Sequence, residues 1–225
     1  MREFNEYYEW HVAKKAEYMA EALQKKHFIV EIAKTKEEAK KILLSMIPEG
    51  SSIGLGGSQT VIHLDVLDEL RTDKYNLIDR YSSKYSQPPD YHFTAMRESL
   101  MADVFITSSN AVTQNGELVN MDCSGGRVAA MTYGPKKVIF VVGVNKLVKD
   151  IEAGIQRCYE IAPANAYKEG HYTLPCVETG VCNDCDAIQT ETIAGRMCNY
   201  LSVILDAYKF PGRLNVIVVA DEIGF

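Results

Sequence analysis

Residues 103–110 read DVFITSSN, an apolar, β-branched run that ends in small polar residues. The DVFIT part is typical of a buried strand, and Ser108 and Asn110 follow at its carboxyl end. Open α/β sheets bind their ligands beyond the carboxyl ends of their strands. The stretch therefore predicts a strand of such a sheet and a ligand site where that strand ends.

A hairpin is predicted directly after this strand. Residues 111–113 and 117–120 are short apolar segments joined through Asn115 and Gly116, a dipeptide that suits the positive φ of a tight turn. A hairpin above a strand end forms a natural pocket wall. Taken alone, however, an Asn-Gly turn is more often only structural.

Residues 122–127 (DCSGGR) lead from the hairpin into a helical pattern at 128–131. The first N–H groups of a helix have no partner within the helix, so a helix start behind flexible glycines attracts an anion. Arg127 suits a bidentate bond to a carboxylate or phosphate, or equally a salt bridge that holds the hairpin.

A second glycine-rich stretch, residues 51–58 (SSIGLGGS), has the order strand, turn and helix start. The missing side chains let an anion approach backbone N–H groups, and Ser58 suits the N-cap of a helix over 59–70. A tight turn without any ligand explains this pattern about as often. Because both stretches follow strands of one sheet, their loops are expected on the same sheet edge.

The rest of the chain alternates strands with helices, which predicts an α/β sheet with helices on both faces. The clearest strand is KVIFVV at 137–142, a continuous apolar run of the buried parallel type. Further strands are predicted at 28–32 and 76–79, and residues 80–90 are predicted to form a long exposed loop of the kind that often acts as a lid. Residues 196–205 and 214–219 are predicted as a terminal strand pair or as a helix and a strand.

Composition bounds the function. The 225 residues, 47% of them hydrophobic, favour one α/β domain, which is predicted over 28–225. A helix is predicted over 1–27, and it is expected to pack on the body of the domain or on a second subunit of a homo-oligomer. A net charge of -6 argues against nucleic-acid binding. No apolar run is long enough for a signal peptide or a membrane span, so a cytoplasmic location is expected.

Four of the six cysteines fall in residues 163–198, which are predicted to be an irregular segment. Two residues separate Cys182 from Cys185, a spacing that lets both thiolates bind one metal, and Cys176 and Cys198 bring the ligands to four. Zinc and an iron-sulfur cluster both fit four cysteines. Unrelated reduced thiols and a redox thiol pair are the alternatives.

The residues around the strand predicted at 103–107 resemble those of a known family. Residues 102–127, together with GPKKVIFVVGVNK at 134–146, PCVETGVCNDC at 175–185 and EIGF at 222–225, are similar to the lactate utilisation domain family, called LUD. The resemblance implies a three-layer α/β fold like that of ribose phosphate isomerases and coenzyme A transferases. In that fold the glycine turn and the strand-end loop together hold an anionic ligand.

The resemblance also implies a role in the oxidation of lactate or a related organic acid, with iron-sulfur partner proteins and a [4Fe-4S] cluster on the four cysteines. An enzyme for a phosphorylated or coenzyme A-linked small molecule, and a non-catalytic ligand-sensing or scaffold subunit, are the alternatives. No nucleophile and base pair is apparent, so no catalytic residue is predicted. The predicted ligand-binding residues are Gly54, Gly56, Gly57, Ser58, Ser108, Asn110, Asn120, Gly125, Gly126, Arg127, Asn145 and Lys146.

Overall fold

The structure, a computed structural model, describes residues 2–86, 92–170, 174–183, 185 and 196–225. The strands in these ranges are β1 (Ile29–Ala33), β2 (Ser52–Leu55), β3 (Asn76–Ile78), β4 (Val104–Thr107), β5 (Ala111–Thr113), β6 (Leu118–Asp122), β7 (Lys137–Gly143), β8 (Leu147–Val148), β9 (Tyr200–Ile204) and β10 (Leu214–Val219). The helices are α1 (Arg2–Lys25), α2 (Lys36–Ser45), α3 (Gln59–His63), α4 (Leu67–Leu70), α5 (Ser83–Ser86), α6 (Phe93–Ser99), α7 (Gly126–Thr132), α8 (Ile151–Glu160), α9 (Ala162–Glu169) and α10 (Pro175–Thr179), with a 3-10 turn at Val144–Lys146.

Six strands form a parallel sheet in the order β1-β10-β7-β4-β2-β3. Consecutive residues of β7 point to opposite faces of the sheet. Ile139 packs with Leu43 of α2 and with Leu64 at the end of α3, whereas Phe140 packs with Met19 of α1 and with Leu118 of β6. A central parallel strand buried on both faces needs such an uninterrupted apolar run. The predicted three-layer α/β fold with helices on both faces is confirmed.

A second, four-stranded sheet in the order β8-β5-β6-β9 lies above the first. The predicted hairpin forms its centre, where β5 and β6 pair antiparallel around Gly116 at φ +87°. The far face of this sheet packs on α8, with Val119 and Ala111 against Cys158. The hairpin is therefore fixed between the main sheet and α8.

Three predictions of secondary structure are wrong, two of them near the C-terminus. The segment 163–198 is not simply irregular, because α9 and α10 lie in it. Residues 200–204 and 214–219 are both strands but do not pair with each other: β9 is an edge of the small sheet and β10 lies inside the large one. The predicted helix over 59–70 is broken between α3 and α4, where Asp65 has φ +52°.

The N-terminal helix packs on its own chain, with Val12, Ala16, Met19 and Leu23 buried in the main core. Its exposed face includes Trp10. No helix in the described ranges combines the length and apolar character that a membrane crossing requires.

The predicted exposed loop at 80–90 is only partly a loop. Arg80 and Tyr85 are buried, and α5 lies between residues 83 and 86. Residues 87–91 lie outside the described residues.

Candidate functional site

A cleft of about 770 Å³ opens at the carboxyl edge of the parallel sheet. Four neighbouring strands end there and each supplies a lining residue: Lys146 follows β7, Ser108 follows β4, Gly57 and Ser58 follow β2, and Arg80 follows β3. The strand-end loops therefore meet on one edge, as the parallel order requires. This volume suits a small organic ligand.

The lining of the cleft is rich in positive charge. Among the described residues, four cationic side chains and the buried Lys146 line it, against the side-chain carboxylates of Asp122 and Glu169, although the whole chain has a net charge of -6. Such a concentration of cations raises the local concentration of anions. The four cationic residues are Arg80, Arg127, Lys168 and Arg196.

Arg80 stands out among these cations. Its side chain is buried, with the residue 8% exposed, and its Nε has no hydrogen-bond partner. No carboxylate of the described residues lies within 4.0 Å of it, and its nearest aromatic contact is the Tyr81 ring, 5.7 Å from Cζ. A buried polar group without a partner is unusual in a folded protein. Because Arg80 lines the cleft, its guanidinium lies beside the space that a ligand would occupy.

Arg127 uses its donors within the protein. Its Nε pairs with Asp122 Oδ1 at 3.0 Å, and both side chains are largely buried. Of the two predicted roles, the geometry favours the one that holds the hairpin in place. The Nη atoms donate to Ser108 O (3.1 Å), Asn120 Oδ1 (3.2 Å), Asn110 Oδ1 (2.8 Å) and Met121 O (2.7 Å).

The helix start after Gly125 already has an anion of its own. Asp122 Oδ2 accepts from the backbone N–H groups of Arg127 (2.9 Å) and Val128 (3.3 Å). At the other glycine turn, Ser58 Oγ accepts from Val61 N at 3.3 Å, the predicted N-cap contact. Side chains of the protein therefore satisfy backbone donors that were expected to face a ligand.

Lys146 is a buried lysine at the cleft, with the residue 4% exposed. Its Nζ lies 2.8 Å from Thr60 Oγ1 and 2.8 Å from Ser108 Oγ. Burial lowers the pKa of Lys146 well below its ordinary value, and the charges of Arg157 and Arg127 lower it further. The neutral form of this amine is therefore favoured more strongly than it is in an exposed lysine.

Lys168 lies on α9 across the cleft. Its Nζ donates to Gly57 O at 2.8 Å and lies 3.8 Å from Glu169 Oε1. Burial lowers the pKa of Lys168 to about 8, against the opposing effect of Glu169. The charge of the Lys168 amine, and with it the charge of this side of the cleft, therefore changes near physiological pH.

Half of the predicted ligand-binding residues line the cleft. Those that do so are Gly57, Ser58, Ser108, Asn110, Arg127 and Lys146, whereas Gly54, Gly56, Asn120, Gly125, Gly126 and Asn145 are not part of its lining. Glycine at 54 and at 56 lets the backbone pass close to Ser99 and Thr107, since a Cβ would lie 2.6 Å and 2.5 Å from their side chains. Asn145 Oδ1 accepts from Ile223 N at 3.4 Å and so binds the C-terminal segment.

Three cations of the lining were missed by the sequence predictions: Arg80, Lys168 and Arg196. Arg80 had a usable signal, because it follows the predicted strand at 76–79 and strand ends were already expected to bind ligands. Lys168 and Arg196 lie within the segment predicted to be irregular, and nothing local indicated that they face the cleft.

The four predicted metal ligands interact electrostatically with one another. The pKa of the Cys198 thiol is raised to about 11, first by burial and then by Cys182, with Cys185 and Cys176 adding to it. Cys198 also lines the cleft. In the part of the chain that the structure describes, however, no three His, Cys, Asp or Glu side chains are grouped as a metal would require. Most of the segment between Cys185 and Cys198 lies outside that part.

Fold and cleft together define a three-layer α/β protein with a cation-lined cleft at the carboxyl edge of its parallel sheet. The chain belongs to the LUD domain family, whose model matches residues 16–219. A similar solved structure is that of a DUF162 family protein from Deinococcus radiodurans, with 15% sequence identity and a TM-score of 0.48 over 92% of this chain and 98% of that chain. A search of curated proteins found no match.

Proposed function

We propose that this chain binds a small organic anion in the cleft, with Arg80 as the main contact to the anionic group. The oxidation of lactate or a related organic acid is the process that its family implies. The observation that supports binding is the buried side chain of Arg80 at the cleft wall, which has no partner at Nε and no carboxylate of the described residues within 4.0 Å. A bound carboxylate or phosphate would complete its hydrogen bonds in the paired geometry that arginine favours.

Isothermal titration calorimetry with lactate, pyruvate, phosphate and coenzyme A tests this proposal. For a probe that the parent protein binds, Arg80→Met is expected to weaken binding about tenfold or more, since hydrogen bonds to charged groups contribute about 1.5–3 kcal/mol. Arg97→Met is the matched control, because Arg97 is exposed and lies outside the cleft. Equal affinities for the parent and both variants would remove Arg80 from the site.

The choice of probe also separates the alternatives for the substrate. Tight binding of phosphate or coenzyme A without binding of lactate or pyruvate would favour an enzyme for a phosphorylated or coenzyme A-linked molecule. Binding of an organic acid that the protein leaves chemically unchanged, measured by NMR over hours, would favour the ligand-sensing subunit.

A metal or [4Fe-4S] cluster on Cys176, Cys182, Cys185 and Cys198 is a second part of the proposal. Its support is that burial and mutual repulsion raise the pKa values of Cys176 and Cys198, an arrangement in which a cation would stabilise the thiolates. Such a cluster supplies electron transfer or binds a substrate oxygen. Because Cys198 also lines the cleft, a cluster that includes this thiolate would border the bound acid.

Metal analysis after anaerobic purification tests this part separately. We expect iron with sulfide, or zinc, in the parent protein and its loss in Cys182→Ser. Cys123→Ser is the control, because Cys123 lines the cleft but is not among the four predicted ligands. Full metal content in Cys182→Ser, or none in the parent, would contradict the assignment, while calorimetry of the cleft would be unaffected by that outcome.

A further inference from the structure

We propose that Lys146 captures its substrate covalently, as an imine between its Nζ and the carbonyl carbon of a small molecule that also has a carboxylate or phosphate. This inference rests on the proposed function, because the same cleft has to hold the anionic group. It adds a reacting residue to a site for which the sequence offered none.

The surroundings of Lys146 disfavour an ammonium ion. The residue is 4% exposed, and among the described residues no carboxylate lies within 4.0 Å of its Nζ. The charged groups that act on it are the cations Arg157, Arg127 and Lys168, and both they and burial lower its pKa. An isolated buried charge is costly, so this environment favours the neutral amine over the ammonium ion. Desolvation of this kind is one way in which enzymes make a lysine nucleophilic.

The hydrogen bonds of Lys146 leave the nitrogen lone pair available. Thr60 Oγ1 is positioned to donate its own hydrogen to Ile223 O (3.5 Å), and Ser108 Oγ to Ser109 O (3.3 Å). Both hydroxyl oxygens are then acceptors for Nζ, each at 2.8 Å. A neutral amine has two hydrogens, and these two contacts use both. The lone pair remains for a group that enters the cleft, which Lys146 borders.

The other lining residues define the chemical class of the substrate. Arg80 offers a guanidinium that no carboxylate of the described residues pairs with, and Lys168 adds a second cation. A ligand held by these groups needs an anionic end, and Lys146 needs a carbonyl carbon. Small 2-oxo acids and phosphorylated aldehydes or ketones have both. A cleft of about 770 Å³ accommodates either kind.

The capture step is balanced without any oxidant or cofactor. The Nζ lone pair forms a bond to the carbonyl carbon, and the carbonyl oxygen takes a proton and becomes a hydroxyl. The C–O bond then breaks, so that the oxygen leaves as water with the two hydrogens of the amine, and the imine nitrogen takes one proton from solvent. The resulting iminium draws electrons from the bonds next to the former carbonyl carbon, which favours cleavage of such a bond. Addition of water reverses the capture.

Reductive trapping of the full chain tests the proposal. The protein is incubated with glyoxylate, pyruvate or glyceraldehyde 3-phosphate and treated with sodium borohydride, which reduces an imine to a stable secondary amine. Intact mass and peptide mapping are expected to show one adduct on Lys146 with at least one of the three probes. The carboxylate and phosphate probes tell which anionic group the cleft prefers. Lactate, which has no ketone or aldehyde, is expected to give no adduct.

Lys146→Met is expected to lose the adduct, and Lys149→Met, which changes an exposed lysine outside the cleft lining, is expected to keep it. Peptide mapping of the parent answers the question even if a variant fails to fold. Adducts on Lys168, or spread over exposed lysines, would overturn the assignment, and so would the absence of any adduct. Calorimetry with the same probes separates the two failures: binding without an adduct refutes only the imine, whereas absence of binding refutes the proposed function as well.

Discussion

Gly57→Asp tests whether the space in front of Arg80 is where an anion binds. A Cβ atom at position 57 would lie 2.9 Å from Arg80 Nη1 and 3.2 Å from its Cζ, so a carboxylate on that carbon would contact the guanidinium. The substitution therefore places an anion of the protein's own in the position proposed for the ligand. Binding of an external anion is expected to fall far more than stability.

The expected magnitudes follow from two opposing effects at Gly57. Crowding the guanidinium costs about 1–3 kcal/mol in the free energy of unfolding, and supplying a partner to a buried donor group restores a similar amount, about 1–3 kcal/mol. The net change in stability is expected to be about 1 kcal/mol or less. Ligand binding loses hydrogen bonds to Arg80 worth about 1.5–3 kcal/mol, which weakens it by about tenfold to about 150-fold.

Gly57→Asn is the matched control, because it has the same shape without the charge. Calorimetry with a probe that the parent binds measures affinity, and urea unfolding measures stability. We expect the asparagine variant to lose affinity only through crowding and the aspartate variant to lose clearly more. If the two variants bind equally well, the charge in front of Arg80 is irrelevant and the site is placed wrongly.

Three further outcomes are expected. Anion affinity should fall as pH rises through about 8, where Lys168 loses its charge, and Lys168→Met should remove this step when calorimetry is done on both sides of that pH. Asp122→Asn should destabilise the protein by about 3 kcal/mol in urea unfolding, because it leaves the buried Arg127 without its carboxylate, whereas Asp68→Asn, at an exposed ion pair, should cost less than about 1 kcal/mol. Gly116→Ala should cost more than about 1 kcal/mol by thermal unfolding, since φ is +87° and the added carbon would collide with a carbonyl of α1; an unchanged transition would contradict the tight packing of the hairpin turn on that helix.

Local sequence patterns predicted the sheet and the edge of it that holds the cleft. The apolar runs at 104–107 and 137–142 correspond to β4 and β7, and the Asn-Gly turn forms the predicted hairpin. These features depend on neighbouring residues, which the sequence displays. The order of the strands brings their ends together, and parallel pairing alone was enough to predict that edge.

Other features depend on contacts between distant residues, which no local pattern displays. The strand at 200–204 pairs with β6 and the strand at 214–219 lies between β1 and β7, and both sequences would suit either sheet. Arg80 lies in a polar segment with serines and tyrosines, so its burial depends on what folds over it. Helix α9 is short and has a proline in its first turn, which is common at helix starts, so its sequence lacks the long apolar period that identifies a helix.

The comparison of Arg80 with Arg127 shows how the structure separates a binding arginine from a structural one. Both line the cleft, and only Arg127 was expected to bind an anion. Each N–H group of the Arg127 guanidinium donates to an acceptor within the protein. A ligand would therefore have to displace hydrogen bonds that hold the hairpin to the sheet edge. Arg80 has no carboxylate of the described residues within 4.0 Å, so a ligand that contacts its guanidinium from the cleft would gain hydrogen bonds without breaking an ion pair. For that reason the affinity of the cleft should depend on Arg80, whereas the stability of its wall should depend on Arg127.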